Sequence, residues 1–147
     1  VTNMSDMFNS CNALTLLDLS RFNTSKVTDM SNIFKGCNKL TSLNISDLMT
    51  SNVTDMSSMF DGCKALTSLN LSHFRTSKVT DMSNMFSMCM MLTSLDLSNW
   101  DLTNVADMGN MFSNCNALKT ITMKNCSTET VNKIKSVAGP MVQIITE

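Results

Sequence analysis

The feature that most constrains this chain is a 26-residue repeat that runs through it without an insertion. Five cysteines mark it, one in each copy and each at the same place in the repeat: Cys11, Cys37, Cys63, Cys89 and Cys115. The same step separates the members of a valine, a phenylalanine and a leucine series that begin at Val1, Phe8 and Leu14. A fixed period of this length is typical of repeat proteins, in which each unit is one turn of a solenoid or one blade of an array.

Each unit has nine positions that are apolar in every copy when cysteine is counted as a small hydrophobic residue. In the second copy they are Val27, Met30, Ile33, Phe34, Cys37, Leu40, Leu43, Ile45 and Leu48. Met30, Ile33 and Phe34 have the spacing of a helical turn, whereas Leu43 and Ile45 alternate as in a strand. Each unit is therefore predicted to be a short strand, a turn, one or two turns of helix and a return.

Stacking is what allows such units to fold, because one unit cannot bury nine apolar side chains but columns of equivalent side chains can. We predict a single solenoid domain over residues 1–147, with repeats at 1–26, 27–52, 53–78, 79–104 and 105–130. A degenerate capping unit is predicted at 127–147, with a fuller helix that starts near Ser127 and ends at Gly139-Pro140. Its columns are predicted to be filled by Val131, Ile134, Val137, Met141 and Ile144, and its polar outer face by Glu129, Lys133 and Lys135.

Two motifs carry a family resemblance. Leu40-Thr41-Ser42-Leu43-Asn44-Ile45 matches the L-x-x-L-x-L strand pattern of leucine-rich repeats, and the longer string from Val79 to Phe86 is followed at fixed spacing by Cys89, Leu92, Leu95 and Leu97. With these motifs the chain resembles the BspA-like leucine-rich-repeat proteins, over about residues 1–118. The usual unit of that family has phenylalanine after the strand, where this chain has Leu48 and Trp100 in two copies, and both keep the column apolar.

The resemblance implies a fold class and a setting. The fold is an α/β repeat, a leucine-rich-repeat solenoid with a parallel β-sheet on one face and short helices or turns on the other. The setting is a bacterial cell surface or secretion, with adhesion or protein–protein interaction as the function. Six cysteines that need not pair keep the cytoplasm open as an alternative.

The first turn has no capping unit before it. Its apolar residues would present an open core edge to water: Val1, Met4, Met7, Phe8, Leu14, Leu17 and Leu19. We expect either that more chain precedes Val1 or that this edge stacks on another molecule, which would give end-to-end self-association.

Charge and hydropathy exclude two classes of partner. The formal net charge is −1, so there is no excess of basic residues to neutralise the phosphates of a nucleic acid. No apolar run reaches the roughly 18 residues of a membrane span, so direct membrane insertion is not expected.

The cysteine and aspartate columns invite a metal site, but the spacing favours structural roles. Metal ligands must converge on one point, whereas these thiols form a row along the axis, typical of a reduced core column. The aspartate column could suggest calcium, yet the Gly-x-Gly-x-Asp pattern of calcium-binding solenoids is absent, and capping of helix starts is favoured: Asp29, Asp55, Asp81 and Asp107. We expect no metal and no other cofactor.

Catalysis would rest on the single histidine, His73. Its equivalents in other copies are Arg21, Asp47 and Asn99, which indicates a variable surface column. No acid–base or nucleophile constellation accompanies it, so we predict that the chain is not an enzyme.

The candidate partner-binding surface consists of the exposed columns between and after the core leucines of the strand. Serines at 20, 46, 72 and 98 recur in every copy and are predicted to be structural. The residues that vary, or that stand beside the varying columns, are the candidate contacts: Asp18, Arg21, Asn44, Asp47, Asn70, His73, Arg75, Asp96, Asn99 and Asp101. Variation on a constant frame is how solenoids acquire specific binding surfaces, although an unselected surface varies in the same way.

A second candidate contact is a group of methionines, Met88, Met90 and Met91, at positions that look solvent-exposed in the other copies. The leading hypothesis is thus a non-catalytic binding module that contacts proteins through its strand face. The alternatives are a structural spacer without a ligand and, more remotely, ice-surface binding by the column of Thr15, Thr41, Thr67 and Thr93.

Overall fold

A computed structural model describes all residues, 1–147, as a continuous parallel β-solenoid of about five turns. Each turn contributes one short strand, and one helix, α1 (Thr128–Ala138), interrupts the pattern near the end. The strands are β1 (Leu16–Asp18), β2 (Ser42–Asn44), β3 (Ser68–Asn70), β4 (Ser94–Asp96), β5 (Thr120–Thr122) and β6 (Gln143–Ile145). All pairings are parallel, and repeats align residue for residue, as in Leu17 with Leu43 and Leu69 with Leu95. The predicted repeat solenoid with a parallel sheet is confirmed.

A second ladder runs along the chain about half a turn after each strand. Parallel bridges join Asn3 to Asp29 and then each aspartate to the next, up to Asp107. Backbone hydrogen bonds of about the same length recur at every step, for example from Met56 N–H to the Asp81 carbonyl at 3.0 Å. Each turn is therefore held to its neighbour on two sides.

The prediction of a short helix in each unit is wrong. The segment after each aspartate is a chain of turns, because left-handed residues interrupt it: φ is 56° at Asn32 and 72° at Gly36. A helix needs negative φ at every residue. In addition, Phe34 N–H donates to the Met59 carbonyl of the next turn, at 3.0 Å, instead of to its own segment. Hydrogen bonds between successive turns of the solenoid thus take the place of the hydrogen bonds that a helix would form within the segment.

The hydrophobic core consists of the side chains at the repeat positions that were predicted to be apolar in every copy. In the second turn Val27, Met30, Ile33, Phe34 and Cys37 are all fully buried. Phenylalanine rings from successive turns stack with centroids 5.5–6.1 Å apart, from Phe8 to Phe112. Equivalent side chains thus meet across each interface, as the repeat predicted.

The C-terminal cap contains the predicted helix. Ser127 Oγ accepts a hydrogen bond from Thr130 N–H at 3.1 Å at its start, and Gly139 with φ 83° ends it. Val131 and Ile134 are buried against the last turn. The Lys133 ammonium donates to the Leu102 carbonyl at 2.8 Å and lies 3.8 Å from the Glu129 carboxylate, so this half-buried residue of the predicted polar face also caps a backbone carbonyl.

Two predictions for the last residues of the cap are wrong. Met141 is 90% exposed and fills no core column. Ile144 pairs with Ile121 and so lies outside the column of Leu118, whereas the full repeat would have brought Glu147 to Ile121. The cause is the helix, which replaces the chain of turns with a different path back to the sheet, so the repeat spacing no longer applies after it.

The first turn exposes part of its apolar edge, in line with the prediction. Val1 is 79% exposed and Met7 is also exposed, whereas Met4 and Leu19 are buried by the second turn. None of the protein's helices is both long enough and apolar enough to cross a bilayer.

Candidate partner-binding face

The strand face is formed by the exposed side chains of β1–β4 and of the residues that follow each strand. The first column on it, Asp18, Asn44, Asn70 and Asp96, was predicted to contact a partner. In the structure the Oδ1 atom of each accepts a hydrogen bond from the backbone N–H of the serine two residues on, at 2.9–3.3 Å. These residues form the turn that ends the strand, so only their outer atoms remain for a ligand.

The serines that recur after the strand belong to the same turns. Ser46 Oγ donates to Asn44 Oδ1 at 2.9 Å, and Ser72 Oγ donates to Asn70 Oδ1 at 2.7 Å. The hydrogen bonds from Ser20 to the Asp18 carboxylate lower the pKa of Asp18 below its usual value, with a smaller contribution from Arg21. The prediction that the serine column is structural is confirmed by these contacts.

The next columns hold the free charges of the face. Arg21, Asp47 and Arg75 are exposed, and none of them takes part in a salt bridge. Asp101 is also exposed, but its Oδ1 accepts hydrogen bonds from the hydroxyl and the N–H of Thr103, which lower its pKa. Asn99 Nδ2 donates to the Ser72 carbonyl of the preceding turn at 3.1 Å.

His73 is half-buried and lies at a break in the sheet. Strands β1 and β2 form one sheet and β3–β6 another, so β2 and β3 are not hydrogen-bonded. The Nε2 atom of His73 is 2.9 Å from the carbonyl oxygen of Ile45, across the break. Its ring meets the Phe74 ring edge-on, with centroids 4.9 Å apart, so its neighbours are a backbone carbonyl and a buried phenyl ring.

We call this break the β2–β3 cleft. It is a cavity of about 430 Å³ lined by the last residues of β2, by β3 and by His73: Leu43, Asn44, Ile45, Ser46, Ser68, Leu69, Asn70, Ser72 and His73. The cleft brings together three of the predicted contact residues, Asn44, Asn70 and His73. The repeat pattern did not predict it, because every residue beside it fits its column.

The methionine group is divided. Met90 and Met91 are 41% and 56% exposed and form a small apolar surface. Met88 is half-buried and has φ 56°, in a column where other turns place Gly36, Gly62 or Asn114. A methionine in this left-handed conformation is strained, so its column, not a ligand, sets its backbone conformation.

The five cysteines of the repeat occupy equivalent positions in successive turns, as predicted, and Cys126 lies in another column. All six cysteines are free thiols. Cys37, Cys63 and Cys89 are buried, whereas Cys11, Cys115 and Cys126 are half-buried. Burial raises the pKa of the Cys63 and Cys89 thiols well above the ordinary value, with a smaller effect from the neighbouring thiols, and it raises the pKa of Cys115 to about 11. Nowhere do three or more histidine, cysteine, aspartate or glutamate residues converge in the manner of a metal site.

The aspartate column caps turns. Asp29, Asp55 and Asp81 each accept, at Oδ1, both the N–H and the hydroxyl of the serine two residues on, at 2.7–2.9 Å. Asp107 accepts the N–H of Gly109 at 2.8 Å. Since no helix follows, the predicted helix capping is wrong, and the column caps a turn instead.

Sequence reasoning missed a third ladder, made of buried threonines. Thr50 Oγ1 accepts a hydrogen bond from Arg75 N–H at 2.7 Å and donates to the Arg75 carbonyl at 3.1 Å. Thr24 and Thr76 do the same toward Met49 and Asp101. Their recurrence at the repeat spacing was the available signal, obscured by the many other threonines.

The fold and the face define a class, a parallel β-solenoid built from near-identical turns with a polar, variable strand face. Residues 2–125 match the model of a family described as "Mycoplasma protein of unknown function, DUF285", and the chain belongs to that family. No curated protein and no solved structure matches it.

Proposed function

We propose that this chain is a non-catalytic binding module that contacts a partner protein through its strand face, on the surface of a bacterial cell or after secretion. The observation that carries the proposal is the contrast between ladders and face. Hydrogen-bonded ladders repeat from turn to turn, whereas the residue type changes from turn to turn in the exposed columns that contain Arg21, Asp47 and Arg75. These three residues form no salt bridge within the molecule. An exposed charge with no ion-pair partner inside the molecule is available to a partner outside it.

The setting comes from the resemblance to BspA-like leucine-rich-repeat proteins, carried by the string from Val79 to Leu97. The family shown by comparison has no assigned function, so adhesion and surface location are part of the proposal. Direct nucleic-acid binding is not proposed, since the net charge is −1.

The experiment is an array of host matrix and cell-surface proteins probed with the whole chain and with two triple variants. Arg21→Ala/Asp47→Ala/Arg75→Ala removes two positive charges and one negative charge from the strand face. Lys26→Ala/Lys135→Ala/Glu129→Ala removes the same charges elsewhere and is the matched control. We expect a partner that binds the control at least tenfold more tightly than the strand-face variant, and equal binding of both variants would refute the assignment of the face.

A spacer without its own ligand is the alternative, favoured by an array on which the intact chain binds nothing. Ice-surface binding is less well supported, because it needs evenly spaced hydroxyls. Thr41 Oγ1 donates to the Thr15 carbonyl and Thr93 Oγ1 to the Thr67 carbonyl, but the β2–β3 cleft separates Thr41 from Thr67 and interrupts the spacing.

A further inference from the structure

The β2–β3 cleft is a local opening in a ladder that is closed elsewhere. Leu19, Leu71 and Leu97 donate their N–H groups to carbonyls of the next turn, at 2.8–2.9 Å. Ile45 occupies the same column but donates to no carbonyl, and the Asn70 carbonyl that it would meet accepts no backbone hydrogen bond. Likewise Thr93 N–H donates to the Thr67 carbonyl, whereas Thr67 N–H has no such partner.

The two strands are separated by more than a hydrogen bond can span. Most Cα pairs between β2 and β3 are more than 8 Å apart, whereas paired strands lie about 4.8 Å apart. A strand inserted between two others needs a separation of about 9.6 Å between its neighbours. The cleft is therefore wider than the gap between two paired strands, in the direction that insertion of a strand requires.

The rest of the interface between these turns is intact. Met30 N–H donates to the Asp55 carbonyl at 3.0 Å, Thr54 N–H to the Thr28 carbonyl at 2.8 Å, and Arg75 N–H to Thr50 Oγ1 at 2.7 Å. The opening is thus confined to the strand face, and the aspartate and threonine ladders hold its base.

The walls of the cleft are partly polar and partly apolar, and they carry no acidic side chain, lysine or arginine. Unpaired backbone groups lie on both sides of the opening: Ile45 N–H and the Thr41 carbonyl beside β2, and Thr67 N–H and the Asn70 carbonyl beside β3. Hydrogen-bonding groups left unpaired in this way are satisfied only by water or by a ligand.

We propose that the β2–β3 cleft captures an extended, uncharged segment of a partner polypeptide as an added strand between β2 and β3. An extended backbone presents alternating N–H and C=O groups along both of its edges. These groups would supply the hydrogen-bond partners that the unpaired backbone groups of β2 and β3 lack. The inference rests on the proposed function, in that the cleft opens on the strand face, and it names the part of the partner that is bound.

An oligosaccharide fits the cleft less well. Sugar-binding sites typically offer an aromatic ring against which a pyranose packs, and the Phe74 ring beside the cleft is buried beneath His73. The hydroxyls of a sugar also do not repeat at the spacing of residues along a strand.

The test is an amide-resolved titration of the ¹⁵N-labelled whole chain. The probes are a pool of end-blocked, uncharged hexapeptides that alternate apolar and polar residues and, separately, cellohexaose and chitohexaose. We expect the peptides to shift the Ile45, Thr67 and Asn70 amides and to slow their hydrogen exchange at least tenfold, while Leu19 and Leu97 amides stay unchanged. Absence of an effect of the peptides at millimolar concentration, or an effect of the sugars alone, would overturn the proposal.

A disulfide across the cleft provides the matched variant. Asn44→Cys/Asn70→Cys joins β2 to β3 and would hold the cleft shut, whereas Ser94→Cys/Thr120→Cys joins β4 to β5, which are already paired, and changes no residue of the cleft. We expect the first variant to lose at least tenfold in peptide affinity and the second to keep it. Should the first variant not fold, the exchange rates of the unmodified chain decide the question.

The outcomes also separate this inference from the proposed function. A partner from the array that binds both disulfide variants equally would refute the cleft and leave the strand face in place. Peptide protection of Ile45 without any partner on the array would leave the cleft in place and refute the charged columns as the contact surface.

Discussion

The thiol of Cys89 donates a hydrogen bond to the carbonyl oxygen of Phe60 in the preceding turn, with 3.2 Å between Sγ and the oxygen. The same relationship joins Cys37 to Phe8, Cys63 to Phe34 and Cys115 to Phe86. Each thiol is therefore a link between turns as well as a small apolar side chain in the core. This explains why the column holds cysteine and not alanine or valine, neither of which can donate.

Replacing Cys89 with alanine should lower the free energy of unfolding by about 1–2 kcal/mol. The change removes a fully buried sulfur and the second of two hydrogen bonds to the Phe60 carbonyl. Urea denaturation followed by circular dichroism measures the loss. Cys11→Ala is the control, since that thiol is half-buried and donates no such bond, and an equal loss in both variants would contradict the role given to the link.

Stability should fall as the pH rises above about 9, the ordinary pKa of a thiol. Burial raises the pKa of the Cys63, Cys89 and Cys115 thiols, so the unfolded chain releases protons that the folded chain keeps, and alkali favours unfolding. Each buried thiol adds a slope of about 1.4 kcal/mol per pH unit, and that of Cys115 should level off above its folded pKa of about 11. Urea midpoints at pH 7, 9 and 10 test this, and Cys89→Ala should show a shallower decline than the unchanged chain.

Replacing Thr50 with valine should cost about 2–3 kcal/mol, although the two side chains have nearly the same shape. Thr50 is buried, and its hydroxyl bonds both the N–H and the carbonyl of Arg75. The measurement is the urea midpoint of the variant. Thr54→Val removes a single bond from an exposed hydroxyl to the Thr28 carbonyl and should cost less than about 1 kcal/mol. Similar costs at the two positions would mean that the buried ladder carries no special share of the stability.

Replacing Met88 with glycine should raise the free energy of unfolding by up to about 1 kcal/mol. Met88 has φ 56°, which glycine adopts without strain, as Gly36 and Gly62 do in the same column. Met90→Gly is the control, because Met90 has no positive φ and the change should instead cost about 0.5–1 kcal/mol. Thermal unfolding of the two variants should therefore move in opposite directions, and destabilisation of both would indicate that the half-buried methionine is held by packing.

The columns of the core could be predicted because an unbroken repeat spacing leaves one way to align the turns. Phe34, Phe60 and Phe86 stack as that alignment requires. The helical spacing of Met30, Ile33 and Phe34 was misleading, because one turn of helix and a chain of turns place apolar residues at similar intervals. The left-handed conformation of Asn32 distinguishes the two, and asparagine adopts it too irregularly for the sequence to indicate it.

For the candidate site, the features that the sequence predicts and those that it does not predict are easier to separate. Exposure of Arg21, Asp47 and Arg75 was predicted from the variation of their columns between copies, whereas the engagement of Asp18, Asn44, Asn70 and Asp96 in turns depends on side-chain rotamers that a pattern does not specify. The β2–β3 cleft could not be predicted at all, since Leu43 and Leu69 occupy the same column as their paired equivalents.

The sequence by itself determined the repeat, its register and the content of the core, because burying nine apolar side chains per turn is possible only when identical positions meet. Only the tertiary structure decided which steps of the strand ladder close and how the last unit ends. The first depends on small differences in packing between near-identical turns, such as His73 against Ile45. The second depends on helix α1, after which Ile144 and not Glu147 meets Ile121. Such differences arise from contacts between turns, and a pattern within one turn does not contain them.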